Sequence, residues 1–91
     1  MAETVQSLEG LASLATQQNQ PERAVRLFAW ADAIREAIGD PRSPAAQADV
    51  DRDFAQIQTQ LDEVAIEAAQ VEGRAMTMEQ AIELALENTD G

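Results

Sequence analysis

Val5, Leu8, Leu11, Ala12 and Ala15 recur at steps of three and four residues, which gathers them on one face of a helix predicted from Ala2 or Glu3 to Gln18. Gly10 lies inside that helix and weakens it locally. Asn19 and Gln20 precede Pro21, and proline, with its fixed φ and no N–H to donate, suits the first position of a second helix. Ala24, Leu27, Phe28, Ala31, Ile34 and Ile38 make the apolar stripe of that helix. Glu22 and Arg26 are spaced for an intrahelical ion pair, and Gly39 supplies a left-handed cap.

Asp40-Pro41-Arg42-Ser43-Pro44 has two prolines and no hydrophobic residue, so it reads as a loop, and Ser43-Pro44 repeats the signal for a helix start. From there Ala46, Val50, Phe54, Ile57, Leu61, Val64, Ala68 and Val71 alternate steps of four and three. That seam fits one long helix or two shorter ones equally well. Glu72-Gly73-Arg74 interrupts it. Thr77-Met78-Glu79-Gln80 then carries capping-box chemistry for a last helix with Met78, Ala81, Ile82, Ala85 and Leu86 on its face. Asn88 to Gly91 are expected to fray. No β-branched run alternates with period two, so the prediction is all-α, about five helices in one domain over 1–91. A hairpin takes 2–39, a loop 40–44 and further helices 45–88.

Within the hairpin, large residues at Leu8 and Leu11, small ones at Ala12 and Ala15, and then Ala24, Phe28 and Ala31 follow the size order of a tetratricopeptide unit, in which small side chains let two helices approach closely. A second unit would begin about 34 residues later. That register falls on the loop at Asp40-Pro41, so the remaining helices read as the cap of a solenoid.

The words Leu8-Glu9-Gly10-Leu11-Ala12, Gln20-Pro21-Glu22-Arg23-Ala24, Arg26-Leu27-Phe28, Ile34-Arg35-Glu36-Ala37-Ile38-Gly39 and Glu72-Gly73-Arg74-Ala75-Met76-Thr77-Met78-Glu79-Gln80-Ala81 carry a resemblance over nearly the whole chain. It resembles the extreme C-terminal tetratricopeptide segment of large bacterial signal-transducing ATPase regulators, including LuxR-type and cyclase-linked multidomain proteins. The resemblance implies a helical-repeat element that serves regulation, downstream of an ATPase module and an effector domain; this chain holds no ATPase residues. It departs from the family at Asp62, where glycine is common, near Ile66 and Gln70, where aromatics are common, and at Trp30, where the residue is usually small.

Composition narrows the function. Of 91 residues, 17 are acidic and 6 basic, a formal charge of −11, and every base is Arg. Nucleic acid and anionic membranes are poor partners for such a chain, whereas a basic or neutral protein surface suits it. Residues 62–91 hold eight acids and one base, which reads first as a solvated face and second as a dock for a basic partner. Met1-Ala2-Glu3-Thr4 does not open a signal peptide, no stretch reaches the length of a membrane span, and a cytoplasmic location is expected.

There is no His and no Cys, so the usual general bases, nucleophiles and transition-metal ligands are missing. Asp49-Val50-Asp51-Arg52-Asp53 imitates the start of a calcium loop, but Phe54 stands where Gly is needed and Gln60 where a bidentate Glu is needed. It reads as a solvated acidic helix face. The four glycines are scattered and make no phosphate loop. No catalytic, cofactor or metal residue is assigned, and the chain is expected not to be an enzyme. Arg23 and Arg26 are expected to pair within their helix.

The expectation is therefore a protein-interaction or scaffold module of a bacterial regulator, acting by burial of a helical face. As the end of a solenoid, the first helix would lack a neighbour over Val5, Leu8 and Leu11, which predicts a homodimer through that face or through Trp30. The alternative is a receptor for a small ligand or peptide, its pocket between the hairpin and the last helix and walled by Phe54, Met76 and Met78.

Overall fold

The computed structural model describes residues 2–86, without the side chains of Ala2 and Glu3. The expected fraying of Asn88 to Gly91 lies outside the described residues. Five helices and no strand are present among them: α1 (Ala2–Gln17), α2 (Pro21–Ile38), α3 (Pro44–Ile57), α4 (Glu63–Ala75) and α5 (Met78–Leu86). The fold is all-α, as the periodicity predicts.

Local chemistry sets the helix ends. Asn19 takes a left-handed φ of 61° and closes α1, with the Gln20 N–H donating to the Ala15 carbonyl at 2.9 Å. Asparagine here does what glycine does at most such caps. Pro21 opens α2, and Gly39, at φ 68° and ψ 37°, ends it with the Asp40 N–H returning to the Arg35 carbonyl at 3.0 Å. Ser43 caps α3 by accepting from the Ala46 N–H, and Asp62 caps α4 by accepting from the Ala65 N–H. The box at α5 is reciprocal: the Thr77 N–H donates to Gln80 Oε1 at 2.9 Å and the Gln80 N–H to Thr77 Oγ1 at 3.1 Å.

The seam left open between one helix and two is thus resolved as two, because the turn at residues 58–62 and the Asp62 cap restart the helix. The restart also changes its phase. Phe54, Ile57 and Leu61 still face the core, but α4 turns Ile66, Ala69 and Gly73 inward, leaving Val64, Ala68 and Val71 in solvent.

α2 is the hub. Its closest partners are α1 and α4, and α3 and α5 also pack on it. The single stripe expected on α2 is therefore too narrow: Val25, Ala29 and Trp30 are buried along with Ala24, Leu27, Phe28 and Ala31, while Ile38 is exposed. One hydrophobic cluster draws on all five helices, from Val5, Leu8, Ala12 and Ala15 through Ile57, Ile66 and Ala69 to Ala81. The Phe28 and Phe54 rings add a tilted contact, centroids 6.0 Å apart.

Glu72-Gly73-Arg74 does not break a helix. It lies inside α4, and Gly73 is buried where α4 crosses α2. A Cβ there would stand 2.8 Å from the Ala29 Cβ and 2.9 Å from the Arg26 Cα, and would collide with the Arg26 carbonyl oxygen. The glycine permits the close approach of two backbones. Gly10, by contrast, has open space where its Cβ would be. Gly73→Ala is expected to destabilise the fold by about 1–3 kcal/mol and Gly10→Ala to stabilise it by about 0.5–1 kcal/mol. Urea denaturation followed by circular dichroism checks both signs.

Candidate functional site

The residues expected to form an open interaction face are core residues. Val5 and Leu8 are buried and Leu11 is half-buried, because α2, α3 and α5 all pack on α1 and no neighbour is missing there. Trp30 is 1% exposed, enclosed by the helices on both sides of α2. Val5, Leu8 and Trp30 therefore offer little surface for a homodimer contact, and of the four residues only Leu11 is partly open.

Beside this core lies an ionic network that joins α1, α2 and the loop after it. Glu9 on α1 receives Arg35 from α2 in a bidentate pair, Nε to Oε2 at 2.9 Å and Nη2 to Oε1 at 2.8 Å. Arg42 comes back from the loop to the same carboxylate, its Nε 2.7 Å and its Nη2 2.6 Å from Oε2, and also pairs with Asp32. Arg35 Nη1 donates to the Asp40 carbonyl at 3.0 Å. The left-handed turn at Gly39 makes this return possible. Side-chain exposures of 12% for Glu9, 9% for Arg35 and 7% for Arg42 show a triad largely covered at the edge of the core. The hydrogen bond to Glu9 holds the Arg35 pKa above its ordinary value, and desolvation only partly opposes it. Linkage from a raised pKa gives stability that is lost only as pH climbs through the folded value, so the Arg35 contribution is constant across the neutral range.

An open recess of about 380 Å³ borders the network, lined among others by Arg35, Arg42, Arg74, Glu36, Asp40 and Gln47. Its guanidiniums are matched by carboxylates, since Arg74 pairs with Glu36 at 3.0 Å. A second, shallower recess of about 600 Å³ lies between α2 and the α4–α5 corner, with Arg26, Glu72, Met76 and Leu84 in its wall. Of the residues expected to wall a pocket, only Met76 reaches it; Phe54 and Met78 pack against the core.

The acidic run on α3 splits three ways. Asp49 pairs with Arg52 at 3.1 Å, and Asp51 accepts from Gln47 Nε2 at 2.9 Å. Asp53 is not solvated: one turn beyond Asp49 it faces α1, is buried, and accepts a hydrogen bond from Ser13 Oγ. Arg26 does not pair within α2 but crosses to Glu72 on α4 at 2.8 Å, because the Gly73 contact brings α4 alongside. Arg23 donates to Gln20 Oε1. Among the described residues, no group of three or more acids could hold a metal ion, and no helix is long and apolar enough to cross a membrane.

The surface that stands out is the outer face of α4. Val64 is 74% and Val71 70% exposed, and Ala68 and Ala75 are exposed between and beyond them on the same side. Sequence pattern alone assigns Val64, Ala68 and Val71 to the core. The signal is the seam itself, whose direction reverses at the Asp62 cap. Such a face can bury area against a partner, and its alkyl and methyl groups offer no acid, base or nucleophile.

Glu9→Gln, which removes the carboxylate charge that Arg35 and Arg42 share and leaves Arg42 with Asp32 and Arg35 with Asp40 at 3.5 Å, is expected to cost about 1–3 kcal/mol in urea denaturation. Replacing the triad together as Glu9→Leu, Arg35→Met and Arg42→Met is expected to cost much less than the three single changes combined. For the core, the Trp30 emission is expected to resist acrylamide quenching in the folded chain and to become fully quenchable on unfolding. No family model matches this chain, and no curated protein or solved structure shows significant similarity to it.

Proposed function

We propose that this chain is a non-catalytic protein-interaction module, in the setting its sequence resemblance implies: the tetratricopeptide-like end of a bacterial multidomain regulator working in the cytoplasm. It acts by burying a helical face. The observation that carries this reading is the outer side of α4, where Val64 at 74% and Val71 at 70% are the most exposed of the large apolar side chains among the described residues, ahead of Leu86, Leu14 and Ile38. Exposed valines on a helix already anchored by its opposite side cost solvation and return nothing to the fold. The partner is a protein rather than nucleic acid, since a formal charge of −11 repels phosphates.

A receptor for a small ligand is the second reading, supported by the recess that holds Met76 between α2 and α5. A metabolite panel that raises the melting temperature would favour it over the module.

The module reading is tested by placing a photo-crosslinking amino acid at Val71, and in parallel at Gln58 on an exposed turn, in the chain expressed in bacteria. A discrete adduct from position 71 and none from position 58 is the expected result. No adduct from position 71 would overturn the reading.

A further inference from the structure

Resting on that reading, we propose that the α4 face is occupied by a second copy of the chain, whose α4 runs antiparallel to the first about a two-fold axis. Val64, Ala68, Val71 and Ala75 step by four, three and four residues, the spacing of the apolar seam of a two-helix coiled coil. They lie opposite the Ile66, Ala69 and Gly73 side that holds α4 to α2, so a partner can sit on the seam without disturbing the fold.

The flanking charges decide the direction of the partner. Glu67 and Arg74 border the seam along one edge, at equivalent heptad positions, and Glu72 borders the other edge. In an antiparallel pair like edges meet. Glu67 of one copy then faces the partner's Arg74, symmetry makes the pair twice, and Glu72 lies across from the partner's Ala65. In a parallel pair opposite edges meet, and each Glu67 would face the partner's Glu72, whose charge Arg26 already offsets, so the two attractions are lost and nothing replaces them. The same residues therefore favour the antiparallel arrangement over the parallel one.

Both charged groups are placed for this role. Glu67 is exposed and has no ion pair among the described residues. Arg74 is 48% exposed, and its pair with the still more exposed Glu36 is a surface contact of small worth that the guanidinium can share. The alanines at two of the four seam positions let the helices come close. The seam spans roughly 16 Å of helix, and two valines with two alanines fall short of the roughly 800 Å² per partner of a standard interface. The dimer is accordingly weak and reversible.

Sedimentation equilibrium of the purified full chain, from about ten micromolar to about one millimolar, tests the proposal. The average mass is expected to rise from 9.9 kDa toward twice that value. Val71→Asp is expected to weaken association by at least about tenfold, and Arg74→Glu or Glu67→Arg alone by about fivefold. The double swap of Glu67→Arg with Arg74→Glu restores it to within about twofold of the parent. All three positions are exposed, so circular dichroism should show unchanged helix content. The swap series stands independently if Val71→Asp fails to fold. A chain that stays monomeric throughout, a dimer indifferent to Val71→Asp, or a double swap as weak as the single ones overturns the proposal. A monomer here together with a cross-link from position 71 to a different protein removes the self-pairing and leaves the module reading intact.

Discussion

Where α4 crosses α2, the α-carbon of Gly73 sits against the Arg26 backbone and the Ala29 methyl with no room for a side chain between them. The rest of the architecture follows from that approach. With α4 held on the far side of α2 from α1, a helix that would otherwise have one buried stripe is enclosed, and Val25, Ala29 and Trp30 become core residues. Glu72 comes within reach of Arg26, and Arg74 within reach of Glu36. The contact also sets the rotation of α4, because only one side of the helix carries the small residues that fit. Val64 and Val71 are turned outward by the same rotation that turns Gly73 inward.

A chain this acidic has few bases, and two of its six arginines meet on one carboxylate. Arg35 and Arg42 share the carboxylate of Glu9 and tie the loop after α2 to both helices of the hairpin. Glu9 is the covered acid of the group, while Asp32 and Asp40 keep contact with water, and the bidentate Arg35 pair is what makes covering the Glu9 charge tolerable. The recess beside the network has its charges matched within the protein, which leaves little for a charged ligand to satisfy. The apolar outer side of α4 has no such internal partner. The proposed interaction module rests on that contrast between a charge-matched recess and an exposed apolar helix face.

Much of the local structure is legible residue by residue. Pro21 and Pro44 at helix starts, Gly39 at a left-handed cap, Ser43 at an N-cap and the Thr77–Gln80 box all act through a few neighbouring atoms, so the sequence specifies them without reference to the fold. The helical periodicity of Val5 to Ala15 and of Ala24 to Ala31 likewise marks a buried stripe, and those residues are buried apart from Leu11, which is half-covered. The candidate site was not legible in the same way. The spacing of α1 leaves its face open and Trp30 undecided between the core edge and an interaction surface, because the identity of their neighbours cannot be read from one helix; the fold buries Trp30, Val5 and Leu8.

By itself, then, the sequence determined that the chain is all-α, where most helices begin and end, and that His and Cys are missing from its side chains. Those properties depend on backbone geometry over a few residues and on side-chain inventory. Only the tertiary structure decided which side of each helix faces inward. A step of three and four residues defines a stripe but not its direction, and the stripe of α4 points to water because a second side, marked by Ile66, Ala69 and the side-chain-free Gly73, fits α2 more closely than the valines can. Glycine in that position looks like a helix breaker in one dimension and is a packing surface in three.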